Sequence, residues 1–398
     1  MNEKPPPPTV LLTYAWCRTA YAALRSLTQQ NIQCVTAGES SIGMCQQSRF
    51  SQGHFLHENP YQDEIAFIQQ LNEIVEKSGA GFLLPGHDET EVIAKHRYQL
   101  PEKLIVPIAD YDQLQWANDK ARVMESCQAL GLSCPQTLAY DPNRPLSEYP
   151  LPCVVKLRRG NGAKGVYYAS TYDELKRIAQ KCVNDYELKP GRYPIIQEQV
   201  PGEGWGVSFL YWRGEALAHF THRRLREKTL TGGTSTARIS ASNDRLVDIA
   251  KRLLDCANWH GLAMVEFKYD PDTQRGWAIE INPRLWGSIA LAVRAGVDFP
   301  YWLYLASTQG PQAVRPLVVS QQQGVLSRWY IGELIYALQQ LMRRRPSKAG
   351  RALWPFPLAE LEDVPLDDPG AFCGESIYYL KQFVVSASLN PEQRGMVG

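Results

Sequence analysis

The sequence predicts two unlike units in tandem. An α/β unit over residues 1–118 is built on a parallel sheet, and an α+β unit over residues 119–320 on antiparallel strands, with a helical C-terminal extension over 321–398. Three observations point there. The chain of 398 residues exceeds what one hydrophobic core supports, so packed domains with a cleft between them are expected. Its first 118 residues alternate short apolar, β-branched runs with segments of helical period, the pattern of βαβ units. Beyond residue 150, strand-like runs dominate with turn residues between them, which favours antiparallel pairing.

In order, residues 10–14, 32–36 and 81–84 read as strands, and 19–30, 63–77 and 89–97 as helices. Ligands of parallel sheets sit at the carboxyl ends of the strands, so loops 14–18 and 85–89 are candidate walls of a site; plain surface turns are the blander account. Asn118 or Asp119 is placed to cap a helix running to about Leu130. Strand-like runs then cover 152–158, 166–170, 194–200, 206–212, 215–225, 261–269 and 276–282, with Arg213-Gly214 as a hairpin turn. Residues 325–341 read as an amphipathic helix that ends in Arg343-Arg344-Arg345 and stops at Pro346, since cations complement a helix C-terminus.

Composition narrows the function classes. A formal net charge of +1 with 21% charged residues gives no broad attraction to nucleic acid or to an acidic membrane. No apolar run approaches the roughly 20 residues of a membrane-spanning helix, and the proline-rich start lacks a signal sequence. Nine cysteines, odd in number and without a Cys-x-x-Cys pair, read as free thiols of a reducing compartment, so a cytoplasmic protein is expected.

Gly160-Asn161-Gly162-Ala163-Lys164-Gly165 follows the strand 152–158 and leads into a second strand rather than a helix. That excludes a dinucleotide-binding turn, which must open a helix. A glycine loop between antiparallel strands suits a flap over phosphates, because glycines let backbone N–H groups approach the oxygens. Protein kinases use such a flap, but their His-Arg-Asp and Asp-Phe-Gly motifs are missing, and the candidate Lys156 precedes the loop. A plain hairpin turn with an exposed lysine fits these residues equally well.

The clearest chemistry lies in residues 264–269 and 278–284. A hairpin centred near Thr273 sets Glu266 opposite Glu280, and side-chain alternation starts Glu280, Asn282 and Arg284 on one face. Opposed carboxylates repel unless a cation lies between them, and Mg²⁺ takes hard oxygen ligands of this kind together with substrate phosphates. Arg284 is then positioned to stabilise a transferring phosphoryl group or an acyl phosphate. The competing account is a solvated face that pairs these glutamates with Lys268 and Arg284.

Taken together, these residues resemble the ATP-grasp superfamily, and within it the stand-alone carboxylate-amine ligases. The ordered set is Asp119-Lys120, Val154-Val155-Lys156, the loop 159–166, Ile196-Gln197-Glu198-Gln199-Val200-Pro201-Gly202-Glu203, His222-Arg223-Arg224 through Gly232-Gly233, and Glu280-Ile281-Asn282-Pro283-Arg284. The resemblance implies a Rossmann-like pre-ATP-grasp domain over 1–118 and an ATP-grasp domain over 119–320. Two sheets of the latter would sandwich ATP, one of them in a lid over about 133–200. It implies that Lys120 and Lys156 contact phosphates under a loop containing Gly160, Gly162, Ala163 and Gly165, and that Gln197, Glu198, Gln199 and Val200 form an adenine hinge. Glu203 is the implied ribose carboxylate, with Trp205 near the same position, and Glu266, Glu280 and Asn282 are the implied metal ligands. Candidate catalytic groups are Arg284, Arg224, Lys164 and His222.

The donor-rich segment 222–238 corresponds to the border of the acceptor carboxylate in related ligases, though a charged strand edge explains its arginines as well. ATP and Mg²⁺, as two ions with Mn²⁺ an alternative, are the implied cofactors. A small-molecule carboxylate and an amine are the implied substrates, and a homodimer is the commonest assembly. Bicarbonate activation, phosphoryl transfer to a hydroxyl and a nucleotide-binding module without turnover are the rival functions. Asp367-Asp368-Pro369 resembles an acidic element found late in some stand-alone relatives, with no mechanistic role implied.

Overall fold

In the computed structural model the described residues are 7–160, 165–229, 232–353 and 360–386. Gly162, Ala163 and Lys164 of the glycine loop lie outside them.

The N-terminal unit is a parallel sheet of β1 (Val10–Leu12), β2 (Cys34–Gly38), β3 (His54–Leu56) and β4 (Phe82–Leu84) in the order β3-β2-β1-β4. Helices α1 (Arg18–Gln29), α2 (Glu64–Ser78) and α3 (Glu89–Lys95) connect or follow the strands. β1 and β4 are buried throughout, which explains their continuous apolar runs. β3 escaped the sequence reading because it is three residues long, with His54 and Phe55 partly buried and Leu56 exposed. Two further helices, α4 (Tyr111–Asn118) and α5 (Lys120–Ala129), lead out of this unit. Asp119 caps α5 by accepting from the Ala121 and Arg122 amides at 3.0 and 3.5 Å.

A small antiparallel sheet follows, ordered β5-β8-β6-β7, from β5 (Thr137–Ala139), β6 (Cys153–Lys156), β7 (Val166–Ala169) and β8 (Ile195–Glu198). Helix α6 (Tyr172–Asp185) covers it through Leu175, Ile178, Ala179 and Cys182, at helical spacing, and the layer has a core of its own.

The largest sheet is antiparallel and six-stranded, ordered β13-β12-β9-β10-β11-β14. Its strands are β9 (Glu203–Trp212), β10 (Glu215–Thr229), β11 (Gly232–Ser240), β12 (Gly261–Asp270), β13 (Arg275–Asn282) and β14 (Leu326–Arg328). Helix α7 (Asp244–Asp255) packs Leu246, Ile249, Leu253 and Leu254 into the core shared with the N-terminal unit. Helices α8 (Ile289–Arg294) and α9 (Phe299–Gln309) pack beside α1 in a second core. Helices α6 and α7 fill gaps between the strand-like runs to which the sequence reading assigned no element.

The C-terminal part departs from expectation in two ways. Residues 326–328 are not helical but form β14, which pairs with β11 and closes one edge of the large sheet, so a boundary at 320 divides that sheet. The helix begins only at α10 (Tyr330–Met342), where the Asp363 carboxylate accepts from the Tyr330 and Ile331 amides at 2.8 and 3.0 Å. α11 (Pro346–Leu353) and α12 (Pro369–Ser386) complete the extension, which is therefore one strand and three helices among the described residues. Asp368, just ahead of α12, is buried and accepts from Tyr21 Oη at 3.0 Å, Ser48 Oγ at 2.5 Å and the Arg49 amide at 3.1 Å. The Asp-Pro element thus fastens the C-terminal helix to the first unit. All nine cysteines are unpaired, and no described helix is long and apolar enough to cross a membrane.

Candidate active site

A cavity of about 330 Å³ lies where the three sheets approach one another. The hairpin β12–β13 supplies its floor. Its register sets Glu266 opposite Glu280 and Met264 opposite Asn282, with a bulge between Glu266 and Phe267. Asn282 Nδ2 donates to Glu266 Oε1 at 3.0 Å, so the three side chains converge.

Cations surround the pair. Arg224 of β10 reaches Glu266 at 2.5 Å and Glu227 at 3.5 Å, while Lys120 at the start of α5 reaches Glu280 at 3.3 Å and donates to the Gly160 carbonyl at 2.7 Å. Burial raises the Glu266 carboxyl above its usual range, with Glu280 adding to the rise against the field of Arg224. For Glu280, burial pushes upward, but Lys120, Lys156 and Arg224 outweigh it and hold the group below the usual range. Two largely buried carboxylates, with the Asn282 amide beside them turning its nitrogen to Glu266, bring hard oxygen donors together in a way that fits a divalent ion, with Arg224 and Lys120 partly neutralising them here. That is the observation on which a Mg²⁺ site rests.

Lys156 projects from β6 and donates to Gln197 Oε1 of β8 at 2.7 Å. Burial, aided by the neighbouring Lys120, lowers its ammonium to about 8 despite Glu280 and Glu266. Gly160 lines the cavity at the mouth of the glycine loop, and Gly165 leaves it with φ 63, where a Cβ would meet Leu157. Gln197, Glu198, Gln199 and Val200 form another edge of the cavity. The Glu198 carboxylate turns toward the Gln136 amide at 3.3 Å, and the Glu198 and Gln199 amides are bonded to Gln136 and Pro152 carbonyls. Glu203 is not brought in: it is exposed, pairs with Arg223 at 3.3 Å and is not among the lining residues, because β9 begins there and turns outward. Trp205 is buried edge-on against Tyr269.

Both N-terminal loops reach the site. Tyr14 and His87, stacked at 4.3 Å, are wall residues, and Thr13 Oγ1 donates to Glu89 at 2.6 Å, which ties the two loops together. Asp88 holds Arg284 Nε at 2.5 Å, so the arginine after the Asn-Pro pair is aimed by the other domain. His222 is buried with its ring against Gly206, where a Cβ would lie 2.3 Å from Cε1. Burial, then Arg224 and Arg238, push its pKa well below the usual range, so it stands neutral in the cavity wall. The sequence reading placed Arg18 and Asp88 within the candidate wall loops 14–18 and 85–89 without naming them, and missed Glu227 and Trp286, which line the cavity; no local pattern marks these two.

Residues 192–329 match the model of the family described as ATP-grasp in the biosynthetic pathway with Ter operon. A solved biotin carboxylase complex from Campylobacter jejuni superimposes with a TM-score of 0.62 over 79% of this chain and 72% of its own, at 13% identity. The L-amino acid ligase from Bacillus licheniformis gives 0.59 over 75% and 74%, at 15% identity. The matched segment resembles an ATP-grasp family, and the fold of the chain is the one that these solved structures share.

Among curated relatives, acetyl-CoA carboxylase 1 of Arabidopsis thaliana is 22% identical over 231 residues, which is 54% of this chain and 10% of that protein. The D-aspartate ligase of Enterococcus faecium is 23% identical over 220 residues, 50% of this chain and 52% of that protein. The alignments thus span about half of the latter and a small part of the former. The cavity lies between the small sheet, the expected lid, and the six-stranded platform sheet.

Proposed function

We propose that this chain is an ATP-dependent ligase that activates a small carboxylate as an acyl phosphate and passes it to an amine, releasing ADP and phosphate. The observation that carries the reading is the convergence of Glu266, Glu280 and Asn282 beneath Lys120 and Lys156 in one cleft. Lys120 and Lys156 bind the triphosphate as point charges. Glu266, Glu280 and Asn282 would hold Mg²⁺, which neutralises charge on the phosphate oxygens when bound. Arg284, fixed by Asp88, orients the γ-phosphoryl group and the attacking carboxylate, and Arg224, which pairs with Glu266, adds positive charge to the same cleft. Phosphoryl transfer asks for positioning and electrostatics rather than covalent help, which is what these residues offer. His222, neutral and packed, is a wall rather than a base.

The likeness to a D-aspartate ligase and an L-amino acid ligase supports an amine acceptor. The likeness to two carboxylases supports bicarbonate activation as the second reading. A coupled ADP-release screen over carboxylate and amine pairs, with and without bicarbonate, separates them. Release that needs an amine and a carboxylate supports the ligase; release that needs only bicarbonate replaces it; a stable phospho-product without free phosphate signals a hydroxyl acceptor.

A further inference from the structure

A net charge of +1 conceals a local asymmetry in the C-terminal extension. From Leu334 to Ala359 the sequence holds no aspartate or glutamate, yet it carries Arg343, Arg344, Arg345, Lys348 and Arg351. The acids at its two ends are turned elsewhere: Glu333 pairs with Arg226 and Arg328, and Glu360 pairs with Arg328 at 3.5 Å. Arg343, Arg344, Arg345 and Lys348 are exposed and make no ion pair among the described residues.

The fold gathers these cations at one corner. α10 ends at Met342, and the Arg344 and Arg345 amides each donate at 2.9 Å, to the Leu341 and Gln340 carbonyls, with Arg344 in the left-handed region at φ 55. The chain so reversed returns as α11, which packs Ala349 and Ala352 against Ala337 of α10. Three arginines therefore occupy the tip of a two-helix hairpin, with Lys348 in the first turn of its second helix.

The same tip is apolar. Ile331, Ile335, Leu338 and Met342 lie at i, i+4, i+7 and i+11, a single stripe along α10. Its first half is buried, since Ile331 and Ile335 join Trp329 with Phe372 and Tyr379 of α12 against them. Its second half emerges: Leu338 is 47% exposed and Met342 76%, and Leu334 and Leu341 beside them are exposed as well. The stripe outruns the core that covers it and ends at the arginines. α12 is also apolar on its outer side, where Ile377, Leu380 and Val384 are exposed at i, i+3 and i+7.

We infer that the α10–α11 tip docks on an anionic phospholipid bilayer, with Leu338, Leu341 and Met342 entering the headgroup layer and the four exposed cations meeting lipid phosphates. A helix that lies in such an interface has this form, a leucine and methionine edge bordered by lysine and arginine. Two other partners fit less well. An isologous contact with a second copy brings the same acid-free, cationic patch against itself, and the exposed stripe of α10 carries no aromatic ring on which a nucleic-acid base could stack. No residue of α10 or α11 lines the catalytic cavity, so docking is separable from the ligase reading.

The full-length protein is mixed with vesicles of phosphatidylcholine alone and of phosphatidylcholine with phosphatidylglycerol, and the bound fraction is read by sedimentation. The protein binds the mixed vesicles and not the zwitterionic ones. It is released by about tenfold or more when salt is raised to about 1 M, where the screening length falls to roughly 3 Å. Arg343→Gln, Arg344→Gln and Arg345→Gln together lower partitioning by about a hundredfold, each cation near such a surface being worth about fivefold. Leu341→Ser with Met342→Ser, which leaves every charge in place, lowers it by about tenfold through lost apolar insertion. All these positions are exposed, so both variants keep the thermal unfolding of the wild type.

No binding to the mixed vesicles, equal binding to both compositions, or full binding by either variant overturns the assignment. A dimer in vesicle-free buffer that the serine pair dissociates, or retention on RNA in place of vesicles, overturns it as well by giving the patch to another partner.

Discussion

The two opposed glutamates are not interchangeable. Lys120, Lys156 and Arg224 keep Glu280 ionised, whereas burial and the neighbouring carboxylate leave Glu266 poised higher. Glu280→Gln, which keeps the shape and removes the charge, should lower ADP formation by roughly 10² to 10³, the usual value of one preorganised electrostatic group. Undiminished turnover in that variant would take Glu280 out of the site. Lys156 makes a sharper prediction. In the free protein it loses its proton as pH rises through about 8, while a bound triphosphate favours the charged form. Affinity for Mg²⁺·ATP analogue is therefore complete below that pH and falls above it by about tenfold per unit. Calorimetry from pH 7 to 9.5 should trace this slope, and Lys156→Met should bind more weakly with the slope gone.

At the scale of elements, the β12–β13 register was legible because the turn-forming stretch 270–276 fixes the pairing, and one pairing decides which side chains meet. The capped start of α5 was legible for a similar local reason: Asp119 precedes the first apolar-periodic residue. The ion pairs that aim the site were not. Arg284 and Asp88 are 196 residues apart, and neither sits in a pattern that predicts the other. β14 was hidden because three residues of strand abut a strongly helical stretch, and only its pairing with β11 makes it extended. Glu203 shows the opposite error, where a residue type matched the family but the strand start turned it to solvent.

Asp119 joins two elements at once, since Arg158 of the lid grips it through Nε at 3.0 Å and Nη2 at 2.6 Å. Asp119→Ala removes both the cap and this two-point contact. Thermal unfolding should report a loss of about 1–2 kcal/mol from the cap, and nucleotide affinity should weaken because Lys120 is the next residue; a variant that binds like wild type would separate the cap from the site.

On the scale of the whole molecule, the N-terminal unit and the start of the last described helix are fastened together. Asp368 accepts three hydrogen bonds from residues of the first unit, and Arg25 pairs with Asp367 at 2.7 Å. The Asp367 pair is half-exposed and contributes little, so the buried carboxylate is the fastening that matters. Asp368→Ala should cost about 2–3 kcal/mol in denaturant unfolding, as expected when a charged acceptor is withdrawn from buried donors. Asp367→Ala should change stability by less than about 1 kcal/mol. Equal losses in the two variants would contradict this division.

The lid differs from the rest in owning its interior. Tyr140, Tyr149, Leu157, Leu175, Ile196 and their neighbours pack against one another and not into the two large cores. Such a layer is a cooperative unit of its own, able to open while the platform stays folded. A calorimetric scan of the empty protein should therefore show a shoulder below the main peak. Saturating nucleotide, by bridging lid and platform, should draw the shoulder into the peak and give one transition, with about 2.7 kcal/mol added at a hundredfold excess over Kd.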